Sequence, residues 1–100
     1  MTENDARPQK GIKEFYNSLY KRLCYPREAM RLKAEGEVCL EFTVDKDGSL
    51  TDIEVISGIG NGYELEAVRL LKKSPKWIPG LQRGKPLKMR KRACMSFKLN

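Results

Sequence analysis

Histidine is absent from the 100-residue chain. That removes the commonest general base, the usual partner of a nucleophilic cysteine, and any mixed Cys/His metal site. Cysteine is scarce. Cys24, Cys39 and Cys94 have spacings that fit no zinc pattern, and an odd number cannot all pair within one chain. They read as inert thiols, buried or half-buried. Long apolar runs are missing as well: no segment reaches the roughly 18 apolar residues of a membrane helix. Met1–Lys10 has no apolar core of a signal peptide. An exported protein needs one of the two, so these absences predict a cytoplasmic chain or a piece of something larger.

What is present suffices for one domain. Forty per cent of the residues are apolar, enough for one modest core in a chain that buries only about two-thirds of its unfolded surface. No room remains for an enlarged catalytic cleft. The charge is basic, with 20 Lys+Arg against 13 Asp+Glu, a net +7 and a pI near 9.5. Such a balance favours anionic partners, although charge spread along the whole chain also serves plain solubility.

Met1–Lys10 is polar and unpatterned and is expected to be a disordered lead-in, with the domain running from Gly11 to Asn100. From Gly11 to Leu23, Ile12, Phe15, Tyr16, Leu19 and Leu23 fall on one helical face, which Pro26 terminates. Arg27–Ala34 reads as a short second helix with Ala29, Met30 and Leu32 as its apolar content. After Gly36 the period changes to two: Val38, Leu40, Phe42 and Val44 alternate with Glu37, Cys39, Glu41 and Thr43. Asp45-Lys46-Asp47-Gly48 is a hairpin turn. Leu50–Ile56 resumes as a strand, and the offset between Leu50 and Ile53 points to a bulge.

Ser57–Gly62 carries three glycines but lacks the spacing and the Lys-Ser/Thr ending of a phosphate loop, so it reads as a plain turn. Tyr63–Lys73 is a helix with Leu65, Val68 and Leu71 on one face, extended by Ala67 and Leu70. Two prolines stop it, and Trp77 between them is expected to anchor the crossing. In the last strand Leu87, Met89, Ala93, Met95, Phe97 and Leu99 alternate with polar residues, and Lys91 interrupts the apolar series. The order ααββαβ predicts an α+β fold: a three-stranded antiparallel sheet with helices packed on one face. Val38, Leu40, Phe42, Ile53, Val55, Leu71, Trp77, Phe97 and Leu99 are the expected core.

Catalysis finds no support. Glu37 with Glu41, and Asp52 with Glu54, lie on the wet face of alternating strands, where they cannot be desolvated into an acid/base pair. The outer face of the sheet is more informative. Glu37 and Glu41 on the first strand complement Lys88, Arg90 and Arg92 on the last, which favours pairing these two strands in the order second–first–last. The last strand then sits at an edge guarded by Lys and Arg, either as protection or as a site that accepts an incoming strand. Cys39 and Cys94 would point outward on adjacent strands. A register bringing their Cα atoms within about 7 Å would allow a bridge and leave Cys24 free.

Tyr25-Pro26-Arg27-Glu28-Ala29, Gly36-Glu37-Val38 and Phe42-Thr43-Val44-Asp45-Lys46-Asp47-Gly48 together resemble the front half of the TonB C-terminal domain. Glu66-Ala67-Val68-Arg69, Pro75-Lys76-Trp77-Ile78-Pro79-Gly80, Gly84-Lys85-Pro86 and Phe97-Lys98-Leu99 are similar to its back half in order and spacing. The Pro-Lys-Trp-Ile-Pro-Gly form resembles versions from Bacteroides-like bacteria. The resemblance implies a non-enzymatic periplasmic adaptor without cofactor or metal. In the full-length protein it is tethered to the inner membrane and its motor proteins through a missing N-terminal region. Its last strand pairs with the TonB box of an outer-membrane receptor. Carried over, the contact residues are Arg22, Leu23, Cys24, Tyr25 and Pro26, with Lys88, Arg90, Lys91, Arg92, Cys94, Ser96 and Lys98 on the edge strand. Two departures stand out: Arg22 where relatives often have glutamine nearby, and Ala93-Cys94-Met95 where they have a Leu-Pro-Ile-like stretch, which restores a backbone donor. An unpaired edge also permits a strand-exchanged homodimer.

Two other functions fit the same chain. One is the same fold as a sensory or docking domain at the end of a membrane metallopeptidase, separable by the upstream coding sequence. The other is a cytoplasmic nucleic-acid binder using the basic strand, which is disfavoured because Lys88–Arg92 holds no stacking aromatic.

Overall fold

The computed structural model describes residues 4–98. In chain order these form β1 (Arg7–Pro8), α1 (Ile12–Lys21), α2 (Arg27–Leu32), β2 (Gly36–Val44) and β3 (Leu50–Ser57). They continue with α3 (Tyr63–Lys72), β4 (Trp77–Ile78), β5 (Gly80–Gln82), β6 (Lys85–Leu87) and β7 (Met89–Phe97). The alternation that begins at Gly36 builds the central strand. Val38, Leu40, Phe42 and Val44 are buried on the inner face of β2. On β7, Ala93, Met95 and Phe97 bury the matching face. The sheet order is β3-β2-β7, all antiparallel, as the charges of the outer face suggested.

The two pairings of β2 differ in kind. Its register with β7 is unbroken from Gly36↔Phe97 to Val44↔Met89. Its register with β3 slips twice, once between Cys39 and Leu40 and once between Glu41 and Thr43. The second slip is the bulge expected between Leu50 and Ile53: Glu41 pairs with Glu54 and Thr43 with Thr51, so Asp52 and Ile53 face one residue, with Asp52 at φ 47°. The hairpin turn is closed by the Gly48 N–H donating to the Asp45 carbonyl at 2.8 Å. Gly48 has φ 89°, its carbonyl accepts the Trp77 N–H at 2.8 Å, and a Cβ there would collide with the Trp77 carbonyl oxygen. No other residue fits that turn.

Two aromatic groups fill the core. Trp77 meets Phe15 and Phe42 edge to face, with centroids 5.1 and 5.2 Å away, which is the anchoring role expected for it. Tyr63 stacks on Phe97 at 4.3 Å, and Tyr25 stands edge-on to both.

Several expectations are corrected. Of the segment Met1–Lys10, read as a disordered lead-in, Met1–Glu3 lie outside the described residues; in the rest β1 pairs with β4, Asn4 bridges to Leu81, and Ala6 is buried. Val55 pairs with buried Leu40 and shares its face, but it is 45% exposed because β3 is the far edge of the sheet. On α3 the buried face is Tyr63, Glu66, Ala67, Leu70 and Leu71, leaving Leu65 at 79% exposure. The helix starts after the left-handed Gly62, and that start points Tyr63 inward. Met30 and Leu32 on α2 are exposed and only Ala29 is buried there. Ile53 is half-buried against the core, and Leu99 lies outside the described residues. The short pairs β1–β4 and β5–β6 carry too few residues for periodicity to reveal. Among the described residues no helix is long and apolar enough to cross a membrane.

Phe42 is fully buried between β2 and Trp77. Phe42→Ala should lower unfolding free energy by about 3–5 kcal/mol in denaturant titration. A midpoint unchanged from wild type would remove Phe42 from the core.

Candidate functional site: the outer edge of the last strand

Among the described residues β7 has no strand on its outer side. The direction of its backbone groups follows from two hydrogen bonds. The Cys94 N–H donates to the Tyr16 hydroxyl at 3.3 Å, and the Ser96 N–H donates to the Tyr20 hydroxyl at 2.8 Å. Both tyrosines belong to α1, on the side away from β2. Even-numbered residues of β7 therefore turn their N–H and C=O groups to the open edge, and odd-numbered residues turn theirs to β2. The same parity holds just past the strand, where the Tyr25 hydroxyl donates to the Lys98 carbonyl at 3.0 Å.

Side chains on the outer face form one charged ladder. Glu41 and Glu54 are direct cross-strand partners, an unfavourable like-charge pair. The Arg90 guanidinium lies between them, 3.2 Å from Glu41 and 3.1 Å from Glu54, and also donates to Thr43 Oγ1 and the Asp52 carbonyl. Arg92 reaches Glu41 at 3.4 Å, and Lys88 reaches Asp45 at 3.6 Å. Arg90 is thus tied into the sheet and Arg92 is half-engaged, so little of this positive charge is idle. Lys91 is on the inner side of the strand and half-buried.

Cys39 and Cys94 are register partners with Cα atoms 4.0 Å apart and form a disulfide, while Cys24 is free and exposed. The same register brings a Glu37 carboxylate oxygen within 4.8 Å of both sulfurs. This trio is invisible in the sequence spacing, and its sulfur donors are committed to the S–S bond.

The segment Arg22–Pro26 is placed by α3. Buried Glu66 accepts the Cys24 N–H at 2.7 Å and a bidentate pair from Arg69 at 2.7 and 2.6 Å, and Arg69 also donates to the Arg22 carbonyl at 3.3 Å. The Arg69 hydrogen bond, with help from the Cys24 N–H and nearby positive charge, holds the Glu66 carboxyl below its ordinary range against the opposing effect of burial. Tyr25 reaches the end of β7 through its hydroxyl on the Lys98 carbonyl. Arg22 does not reach the edge: its guanidinium donates to the Lys73 carbonyl and lines a cleft of roughly 230 Å³ that also includes Pro8, Phe15 and Trp77 but no β7 residue. Leu23 packs against the core, and Pro26 caps α2 beside Gly62. The residues missed from sequence are Tyr16, read only as core, and Tyr20. Their signal is a tyrosine pair four apart on a helix flank, each ring carrying a polar handle.

These features define a small α+β domain whose last strand is an edge, partly covered by its N-terminal helix. The profile of the family described as Gram-negative bacterial TonB protein C-terminal matches residues 21–99, and the chain belongs to this family. Among solved structures it is similar to the NMR structure of a Helicobacter pylori TonB C-terminal domain, 22% identical with a TM-score of 0.64 over 86% of this chain and 90% of that one. A longer form of the same domain covers 92% and 87% at the same identity and TM-score. The Pseudomonas aeruginosa TonB C-terminal domain is 27% identical, with a TM-score of 0.61 over 77% and 78%. No curated protein sequence matches the chain.

Two outcomes follow. Thiol titration of denatured, unreduced protein should count one free cysteine, and reduction should lower stability by on the order of 2–4 kcal/mol; three free thiols would refute the bridge. Because the Glu66 pKa is lowered on folding, its contribution is present above the ordinary 4.5 and lost as pH falls through the lowered value. In acid unfolding, Glu66→Gln should therefore show a smaller loss of stability below pH 4.5 than wild type. Parallel curves would refute that assignment.

Proposed function

We propose that the chain is the receptor-binding domain of a TonB-like energy-transduction protein, an adaptor that performs no chemistry of its own. It works in the periplasm, tethered to the inner membrane and its motor proteins, and binds the TonB-box segment of outer-membrane receptors by strand addition to β7. Family membership supports the setting. The observation that supports the mode of binding is the row of outward backbone groups on β7, unpaired with any strand among the described residues, in which Arg90 and Arg92 share the parity of Cys94 and Ser96.

An incoming strand gains hydrogen bonds at roughly 1 kcal/mol net each and loses much of that to its own ordering, so micromolar or weaker affinity is expected for the isolated peptide. The contacts offered to it are the edge of β7 from Lys88 to Lys98 and, at its far end, Tyr25 with Pro26. Arg22 and Leu23, engaged elsewhere in the domain, contribute by setting where Tyr25 stands.

Proline separates the two faces of β7. The Lys91 N–H points to β2 opposite Phe42, so Lys91→Pro should break the central ladder and unfold the domain. The Arg92 N–H points to the edge, so Arg92→Pro should stay folded by circular dichroism and lose binding of a TonB-box peptide in calorimetric titration, with Arg92→Ala as control. A folded Arg92→Pro protein that binds like wild type sinks strand addition at this edge.

A further inference from the structure

The β7 edge is not uniformly open. Tyr16 and Tyr20 stand four residues apart on α1, about 6 Å along a helix, and the groups they meet, Cys94 and Ser96, stand two apart on a strand, about 6.6–6.8 Å. The two spacings match closely enough for a helix running alongside the strand to satisfy successive outward donors. Tyr25 continues the series at Lys98. The Tyr16 and Tyr20 hydroxyl oxygens stand where the carbonyls of an added strand would stand, and the Tyr25 hydroxyl, a donor, stands where one of its N–H groups would. From Met89 to Arg92 no such tyrosine covers the edge among the described residues.

Besides the two hydroxyl contacts, α1 is attached through a narrow apolar stripe. Only Phe15 and Leu19 of its ten residues are buried, whereas Ile12 and Tyr20 are exposed. Both tyrosines also precede residues 21–99, the stretch that matches the family, so the cover belongs to the part of this chain outside that match.

We infer that α1 is an intramolecular competitor for the receptor-binding strand. It divides β7 into an open half, Met89–Arg92, where a partner segment first pairs, and a closed half, Cys94–Lys98, which a partner reaches only when the Tyr16 and Tyr20 hydroxyls let go. This rests on the strand-addition reading and specifies its surface. A segment confined to the open half is held by few backbone bonds. One that takes the place of the two hydroxyls gains the rest of the edge, against the hold that Phe15 and Leu19 keep on α1.

The test uses the whole 100-residue chain, wild type against Tyr16→Phe/Tyr20→Phe and Tyr16→Ala/Tyr20→Ala, with unfolding midpoints confirming that each is folded. The probe is a synthetic TonB-box peptide from a receptor of the same genome, followed by calorimetry and by backbone amide shifts. Wild type should show shifts centred on Arg90 and Arg92. The Phe pair should bind on the order of tenfold tighter, with shifts extending to Cys94 and Ser96, and the Ala pair should bind at least as tightly. Unchanged affinity in both variants, with β7 amides still responding, overturns the competition while leaving strand addition intact. If no β7 amide responds in any protein, strand addition itself fails and the competition falls with it.

Discussion

The unbroken pairing of β2 with β7 is the constraint on which the rest of the molecule depends. Every residue from Gly36 to Val44 has a partner between Met89 and Phe97 with no slip, and so the parity of both strands is locked end to end. That parity sends Val38, Leu40, Phe42, Ala93, Met95 and Phe97 into the core together. It sets Cys39 against Cys94 at bonding distance. It carries Arg90 and Arg92 to the carboxylates of Glu41 and Glu54, relieving two like charges that face each other across β2 and β3. It also decides which backbone groups of β7 look outward. A slip of one residue would invert all four relations at once.

The opposite edge has no such discipline. β3 slips twice against β2, and its far end exposes Val55 and Ile56. A bulged, twisted edge is a poor template for an added strand, whereas β7 is long and regular. The asymmetry concentrates pairing on one side of the sheet. The elements near that side are themselves fixed by polar contacts built on buried Glu66: Glu66 and Arg69 hold the chain at Arg22 and Cys24, so that Tyr25 arrives at the end of β7.

Much of this was legible in the residues. Alternation marked β2, β7 and the hairpin between β2 and β3, and the Leu50–Ile53 offset marked the bulge. Opposite charges on two wet faces favoured placing the last strand beside the first, which the β3-β2-β7 order bears out. Helix faces were read less well. In α3 the apolar spacing favoured Leu65, yet the helix begins one residue after a left-handed glycine and its phase puts Tyr63 inside instead. In α2 the apolar content is mostly exposed, since a helix of six residues covers its neighbours only through Ala29.

The sequence by itself determined the class of fold, the absence of catalytic histidine chemistry, and the existence of a basic edge strand, because these depend on composition and on local periods of two and 3.6. Tertiary structure alone decided which tyrosines meet that edge. The Tyr16 hydroxyl lies 78 positions from Cys94 in the chain and the Tyr20 hydroxyl 76 from Ser96. No local pattern reports a contact that forms only when a helix is laid along the β7 edge of the sheet by the packing of Phe15 and Leu19. The disulfide belongs to the same category: outward-facing cysteines could be read from alternation, but their meeting required a register that only the full length of the β2–β7 ladder fixes.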